Sequence, residues 1–168
     1  MFVKIRDETA ADPPQIEAVT ISAFRSAPRS HGTEQQIIDA LRQRGKLAIS
    51  LVAEADGTII GHVAMSPVVL SSGASGWFGL GPVSVLPQHQ HRGVGSQLIR
   101  EALRILRERG AAGCVVLGDP RYYRRFGFEV DADLVLPGVP HGYFQATSFD
   151  GSRPKASVMY DKAFETDD

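Results

Sequence analysis

The sequence predicts an α/β fold of the α+β kind: a mixed, mostly antiparallel central sheet with one parallel crossover. Three observations predict it. Segments with the period of strands and of helices follow one another as strand, two helices, three strands, helix, strand, short helix and late strands, which is not the steady alternation of a doubly wound sheet. Asp56-Gly57 separates two apolar runs and tolerates the positive φ angles of a tight hairpin, so those runs pair antiparallel. One long amphipathic helix lies between two later strand runs and supplies the crossover. With 168 residues, 43% hydrophobic and 22% charged, the chain has enough apolar material for one domain over 1–168 with its own core.

Taken in order, "FVKIRD" at 2–7 alternates as a short strand. Asp12 stands as an N-cap, with Pro13 at the first helical position and Gln15 closing a capping box, for a helix to about Phe24. After the turn "SAPRSHG", Thr33 with Gln36 repeats the capping signal before "EQQIIDALRQRG", a second helix ending at Gly45. "LAISLVAEADGTIIGHVAMSPVVL" holds the two hairpin strands, and the loop "SSGASG" follows. "WFGLGPVSVLP" reads as a strand disturbed by Gly81-Pro82 and stopped at Pro87. The next helix carries Val94, Leu98, Ile99, Ala102, Leu103, Ile105 and Leu106 on one apolar stripe, with Gly110 as its stop. "GCVVLG" is a buried strand, a short helix covers about Pro120 to Arg125, and "FGFEV" begins another strand. A loop rich in proline and glycine at 134–142 precedes strands at "YFQATSF" and "KASVMYDKAF", and an acidic tail begins at about 165.

The formal net charge is -1, so the overall balance asks for neither nucleic acid nor an anionic membrane as partner. The start lacks the apolar stretch of a signal peptide, and no run is long enough to span a bilayer, which predicts a cytoplasmic protein. The single cysteine, Cys114, has no partner for an internal disulfide and reads as a buried strand thiol. His89 and His91 form a His-x-His pair with no Cys cluster or third ligand beside it, so no metal site is predicted.

The segment "QHQHRGVGSQLI" puts Gly93 and Gly95 at a helix start, where each weakens the turn by up to about 1 kcal/mol relative to alanine. A close approach to the backbone accounts for them. A nucleotide P-loop needs Lys and then Ser or Thr after the last glycine, but Gly95 is followed by Ser96 and Gln97. The dinucleotide fingerprint needs a glycine at its sixth position, which is Leu98 counted from Gly93 and Ser84 counted from Gly79. The pattern Gln/Arg-x-x-Gly-x-Gly/Ala is met by Gln90-His91-Arg92-Gly93-Val94-Gly95, behind "VSVLP". This resembles the coenzyme A loop of the GNAT superfamily of N-acetyltransferases. The hairpin "VAEADGTIIGHVAMSP" looks like the family's second and third strands, and "DPRYYRRFGFEV" resembles its second conserved block. The chain also looks like a bacterial branch of uncharacterised members with "LGDPxYYxRFGF" and a closing "VMYDKAF". The likeness covers nearly the whole chain and implies a GNAT-type domain, helices on both faces of the sheet, and acetyl-CoA as co-substrate.

Physical chemistry supports the loop's part. The first turn of a helix has N–H groups without intrahelical acceptors and a partial positive charge, so a diphosphate can satisfy them once glycine clears the way. The resemblance implies that His91, Arg92, Gly93, Val94, Gly95 and Ser96 hold the diphosphate, with Gln90 beside them. It implies that the backbone of Val83, Ser84 and Val85 holds the pantetheine arm like an added strand. Arg92, Arg124 or Arg125 meets further phosphates, or is simply a solvated helix cation.

An amine attacks a thioester only when neutral, and with a pKa near ~10.4 its deprotonation at pH 7 costs about 4.6 kcal/mol. The resemblance implies a backbone N–H at about Val85 as donor to the developing oxyanion. It implies Tyr123, in "YYRRFGF", as the general acid that protonates the leaving thiolate and as a contact to the coenzyme. A hydrogen-bonded core aromatic is the competing reading, and it suits Tyr122. Glu34, His62 and Asp119 are candidates for the base. Glu34 competes with the role of a first-turn acid, and His62 with that of a satisfied sheet histidine. Asp119 departs from the asparagine usual near this place and competes with a helix cap before Pro120. Trp77 and Phe78 line a substrate cleft or pack in the core.

The reaction implied is acetyl transfer from acetyl-CoA to a primary amine of a small molecule or peptide. A coenzyme A-binding module without transfer and an O-acetyltransferase are the alternatives. The acceptor's determinants fall in the first two helices, the loop at 71–76 and the segment at 134–148, which carry no readable motif, and edge strands suit a homodimer.

Overall fold

The computed structural model describes residues 2–25, 27, 30 and 32–165. In chain order its elements are β1 (Lys4–Asp7), α1 (Pro13–Phe24), α2 (Glu34–Gln43), β2 (Ile49–Ala55), β3 (Thr58–Pro67), β4 (Val69–Leu70), β5 (Trp77–Val85), α3 (Val94–Glu108), β6 (Gly113–Leu117), α4 (Pro120–Tyr123), β7 (Leu134–Val135), β8 (Phe144–Ser148) and β9 (Ala156–Met159). The central sheet runs β1-β2-β3-β5-β6-β8. Every pair in it is antiparallel except β5 with β6, which α3 connects. The mixed, mostly antiparallel sheet expected from the sequence is thus the one observed. Asp56 and Gly57 both have positive φ, 51° and 76°, as the hairpin between β2 and β3 requires.

Helices cover both faces. The apolar stripe of α3, from Val94 through Leu98 to Leu106, packs on Leu51, Val63 and Met65. On the opposite face Ile16 and Val19 of α1 and Ile38 of α2 pack on Val52 and Ile59. A smaller sheet, β4-β9-β7, covers a second core around Trp77, Val115 and Phe144. Trp77 is a core residue: a Cβ on Gly113 would stand 2.5 Å from its ring, so the bare glycine makes room for the indole.

One irregularity in β5 shapes the site. Val63 pairs with Val83 but Met65 with Leu80, so a single β3 residue faces both Gly81 and Pro82. This bulge kinks the strand. β6 pairs with β5 only from Trp77 to Leu80, and beyond the bulge β5 leaves β6 behind. Its edge from Gly81 to Val85 is open on that side.

Several local expectations are corrected. Asp12 precedes α1 but makes no side-chain cap bond. Its carboxylate turns back to accept from Arg6 Nη1 and from the Thr9 N–H, each at 2.7 Å, because a guanidinium is the stronger partner. Thr33 makes no side-chain cap bond either. "FGFEV" is not a strand: Gly127 has φ 95°, and Glu129 alone bridges Ala146. The expected loop at 134–142 begins with β7, and Val69–Leu70 is not part of the β3 run but pairs with β9. The tail beyond Glu165 and part of the turn "SAPRSHG" lie outside the described residues.

Candidate active site

The site grows from the end of β5. A 3-10 turn at Pro87–His89 redirects the chain, and Gln90 Nε2 donates to the Val85 carbonyl at 3.0 Å. His91 and Gly93 then take positive φ, 64° and 84°, while their neighbours do not, an alternation that gathers successive N–H groups into one concavity. The first intrahelical bond of this turn runs from the Gln97 N–H to the Gly93 carbonyl, 3.0 Å. The N–H groups of Val94, Gly95 and Ser96 therefore have no acceptor among the described residues.

The two glycines serve different ends. Gly93 is the left-handed N-cap of α3, a conformation that costs a residue with a Cβ about 1–2 kcal/mol. Gly95 lies inside the helix, where a Cβ would stand 3.6 Å from the Tyr122 hydroxyl and 3.7 Å from Val85 Cγ2. Nothing forbids that Cβ sterically, but it would project between the helix start and β5.

A cavity of about 610 Å³ opens there, lined by Gln90, His91 and the Gly93–Ser96 turn. Val83 and Val85 form its opposite wall, and Tyr122, Tyr123 and Arg125 close one side. Leu86 N–H donates to the Ile60 carbonyl at 2.9 Å, which makes 60/86 and 62/84 the hydrogen-bonded pairs of this ladder. Val83 and Val85 therefore turn their N–H and C=O groups away from β3, toward the open edge. Ser84 bonds inward, with its buried hydroxyl facing Thr20 Oγ1 at 3.5 Å, and is not in the wall. The exposed Arg92 and Arg124 are not in it either. Arg125 is, with its guanidinium 4.5 Å above the Tyr122 ring, and Tyr122 OH lies 3.2 Å from Ser96 Oγ.

A second cavity of about 510 Å³ shares Val83 and Tyr123 with the first. Phe24 and Ile37 from α1 and α2, Leu136 from the loop after β7, and Tyr160 and Phe164 from the tail give it an apolar wall. Glu34 is the one charged group lining it among the described residues; its Oε1 accepts from Ser30 Oγ at 2.6 Å. The Tyr160 hydroxyl is buried without a hydrogen-bond partner among the described residues. The loop at 71–76 lines neither cavity, and Phe78 packs on the first core. No motif marks this second wall, because its apolar residues have the composition of an ordinary core.

Tyr123 stands where the cavities join. Its ring meets Tyr122 edge-on at 5.0 Å and Phe128 at 6.0 Å between centroids. The hydroxyl carries no hydrogen bond among the described residues, and burial pushes its pKa up to about 12, so it is a proton donor at neutral pH. Of the three base candidates only Glu34 lines a cavity beside it. Asp119 caps α4, accepting from the Arg121 N–H at 2.9 Å. His62 is fully buried, and its Nε2 lies 2.8 Å from Ser50 Oγ, which donates to Glu8 Oε1 at 2.5 Å. Glu8 is held in turn by Arg42 through two hydrogen bonds. That chain requires His62 to carry its proton on Nε2 and leaves Nδ1 bare. Burial lowers the His62 pKa to about 4, so the ring is neutral at pH 7. Cys114 is buried, and burial pushes its thiol pKa up.

Residues 4–130 match the family model described as an acetyltransferase (GNAT) domain. The chain is 40% identical over 129 residues to the uncharacterized N-acetyltransferase YhbS of Escherichia coli strain K12, across 76% of this chain and 74% of that protein. Among solved structures it is similar to a GNAT family acetyltransferase from Brucella melitensis in complex with acetyl-CoA, at 47% identity and a TM-score of 0.87 over 97% of this chain and 98% of that one. It is also similar to Escherichia coli YhbS in complex with CoA, at 35% identity and a TM-score of 0.85 over 98% and 92% of the two chains. Among the described residues no helix is long and apolar enough to cross a membrane.

Proposed function

The chain belongs to the GNAT acetyltransferase family, and from that premise we propose that it transfers the acetyl group of acetyl-CoA directly to a primary amine, as one domain acting in the cytoplasm. The meeting of two cavities at Val83 and Tyr123 carries this reading. One is rich in unpaired backbone donors, the other apolar. The segment Leu117–Phe128 supports grouping the chain with a branch that shares its "LGDPxYYxRFGF" pattern.

Acetyl-CoA supplies an activated thioester; the chain supplies grip, charge and protons. The N–H groups of Val94, Gly95 and Ser96 hold the diphosphate at the positive end of α3, with Gln90, His91 and Gly93 shaping the turn, an arrangement that contributes up to ~2 kcal/mol. Val83 and Val85 offer the pantetheine amides a strand edge. The Val85 N–H meets the carbonyl oxygen as it becomes negative, a donor of the kind worth about 2.7–4 kcal/mol. Glu34 receives the ammonium proton before attack, Tyr123 gives the proton that the departing thiolate takes up, and the second nitrogen proton, shed as the amide forms, restores the phenol.

The test is release of free thiol from acetyl-CoA against a panel of amines and alcohols, with the products weighed by mass spectrometry. An acetylated amine formed one-to-one with thiol is expected. Binding of acetyl-CoA without turnover on any acceptor, or ester products alone, would overturn the proposal.

A further inference from the structure

We propose that the acceptor is a small arylalkylamine: a primary amine on an apolar body about the size of an aromatic ring, seated in the second cavity with its ammonium on Glu34. This rests on the transferase reading and adds the substrate class.

The walls set the body's chemistry. Phe24, Ile37, Leu136 and Phe164 come from four separate parts of the chain and present hydrocarbon to the same space. A sugar or polyol would lose its water there without gaining partners. A volume of about 510 Å³ suits a small molecule better than a folded protein surface.

Charge sets the head group. Glu34 is the one charged group lining the cavity among the described residues, and its carboxylate matches a single cationic head. A polyamine would carry a second ammonium into an apolar wall, and an amino acid would bring its carboxylate beside that of Glu34. Both are disfavoured in low-dielectric surroundings. The apolar walls oppose the charge that Glu34 favours, and transfer of the proton to Glu34 leaves the neutral nucleophile.

The experiment measures kcat/KM at saturating acetyl-CoA for 2-phenylethylamine, tyramine, spermidine, an α-amino acid and a lysine-containing peptide, with CoA affinity measured separately by titration. Either arylalkylamine should exceed each of the other three by at least about tenfold. In Leu136→Glu, which adds a second carboxylate to the wall, spermidine should gain on phenylethylamine by about tenfold, with CoA affinity unchanged. A preference for spermidine, amino acid or peptide in the unaltered chain overturns the substrate class while the transferase reading stands. Thiol release with none of the five, despite saturable CoA binding, overturns both.

Discussion

The ring of Tyr123 lies over the bare Cα of Gly118, where a Cβ would collide with the ring carbons Cε2 and Cδ2. The glycine that ends "GCVVLG" is therefore the seat of the tyrosine at the junction of the cavities. Gly118→Ala should displace that ring, destabilise the fold by about 1–3 kcal/mol through overpacking and depress turnover. Urea denaturation and steady-state kinetics check both effects; full activity in the alanine variant would show that the ring's placement is unimportant.

Tyr123→Phe keeps the ring and removes the proton. Turnover should fall about 10²-fold, the usual lower range for a general acid, with CoA affinity little changed. Because burial pushes the phenol pKa up to about 12, the native enzyme should show no loss of rate from Tyr123 ionisation between pH 7 and about 10. Unchanged turnover in the phenylalanine variant would contradict the acid role, and an alkaline limb below about pH 10 that vanishes in that variant would contradict the raised pKa.

Gly95→Ala separates stability from binding. Alanine is the better helix former by up to about 1 kcal/mol, and its Cβ meets nothing closer than 3.6 Å. The variant should melt at the same or a higher temperature yet bind CoA about tenfold more weakly, because the methyl would project between the helix start and β5, into the space proposed for the coenzyme. Thermal melting and calorimetric titration read the two effects; undiminished affinity would mean the bare backbone at this position is not the gripping surface.

Stability should depend on pH through two groups in separate windows. His62 takes a proton below about 6.5 when unfolded but only below about 4 when folded. The unfolded chain then binds more protons between those values, so stability is fully present above 6.5 and is lost as pH falls toward 4, by about 3 kcal/mol across the window. The carboxylate of Asp12, held down to about 2 mainly by its hydrogen bond to Arg6, acts lower. Its contribution of about 2 kcal/mol is present above about 3.8 and disappears as pH falls toward 2. Denaturation of the native chain and of His62→Gln should diverge in slope between pH 4 and 6.5 and run parallel above it; equal slopes in both chains would exclude His62 as the source.

What could be read from the sequence was whatever depends on local backbone chemistry. α3 announces itself by its apolar stripe and by Gly93 and Gly95, and the β2–β3 hairpin by Asp56-Gly57. The failures lie where distant residues decide. Asp12 has the composition of a cap, but Arg6 on β1 claims its carboxylate. The two-residue strands β4 and β7 exist only because β9 lies between them, and two residues carry no periodicity. Gly81-Pro82 was legible as a disturbance in β5, but not as the bulge after which β5 parts from β6 and presents Val83 and Val85. On the site, the loop was readable because two glycines at a helix start are a local backbone signal. The second cavity was not, since Ile37, Leu136 and Phe164 would be equally at home in a core.

The most direct test of the account is titration of the purified chain with CoA and, separately, with pantetheine, which has the same thiol arm but lacks the diphosphate. Saturable, one-to-one binding of CoA with far weaker binding of pantetheine is the predicted result. No saturable CoA binding, or equal affinity for the two compounds, would contradict the claim that the N-terminal turn of α3 holds the diphosphate.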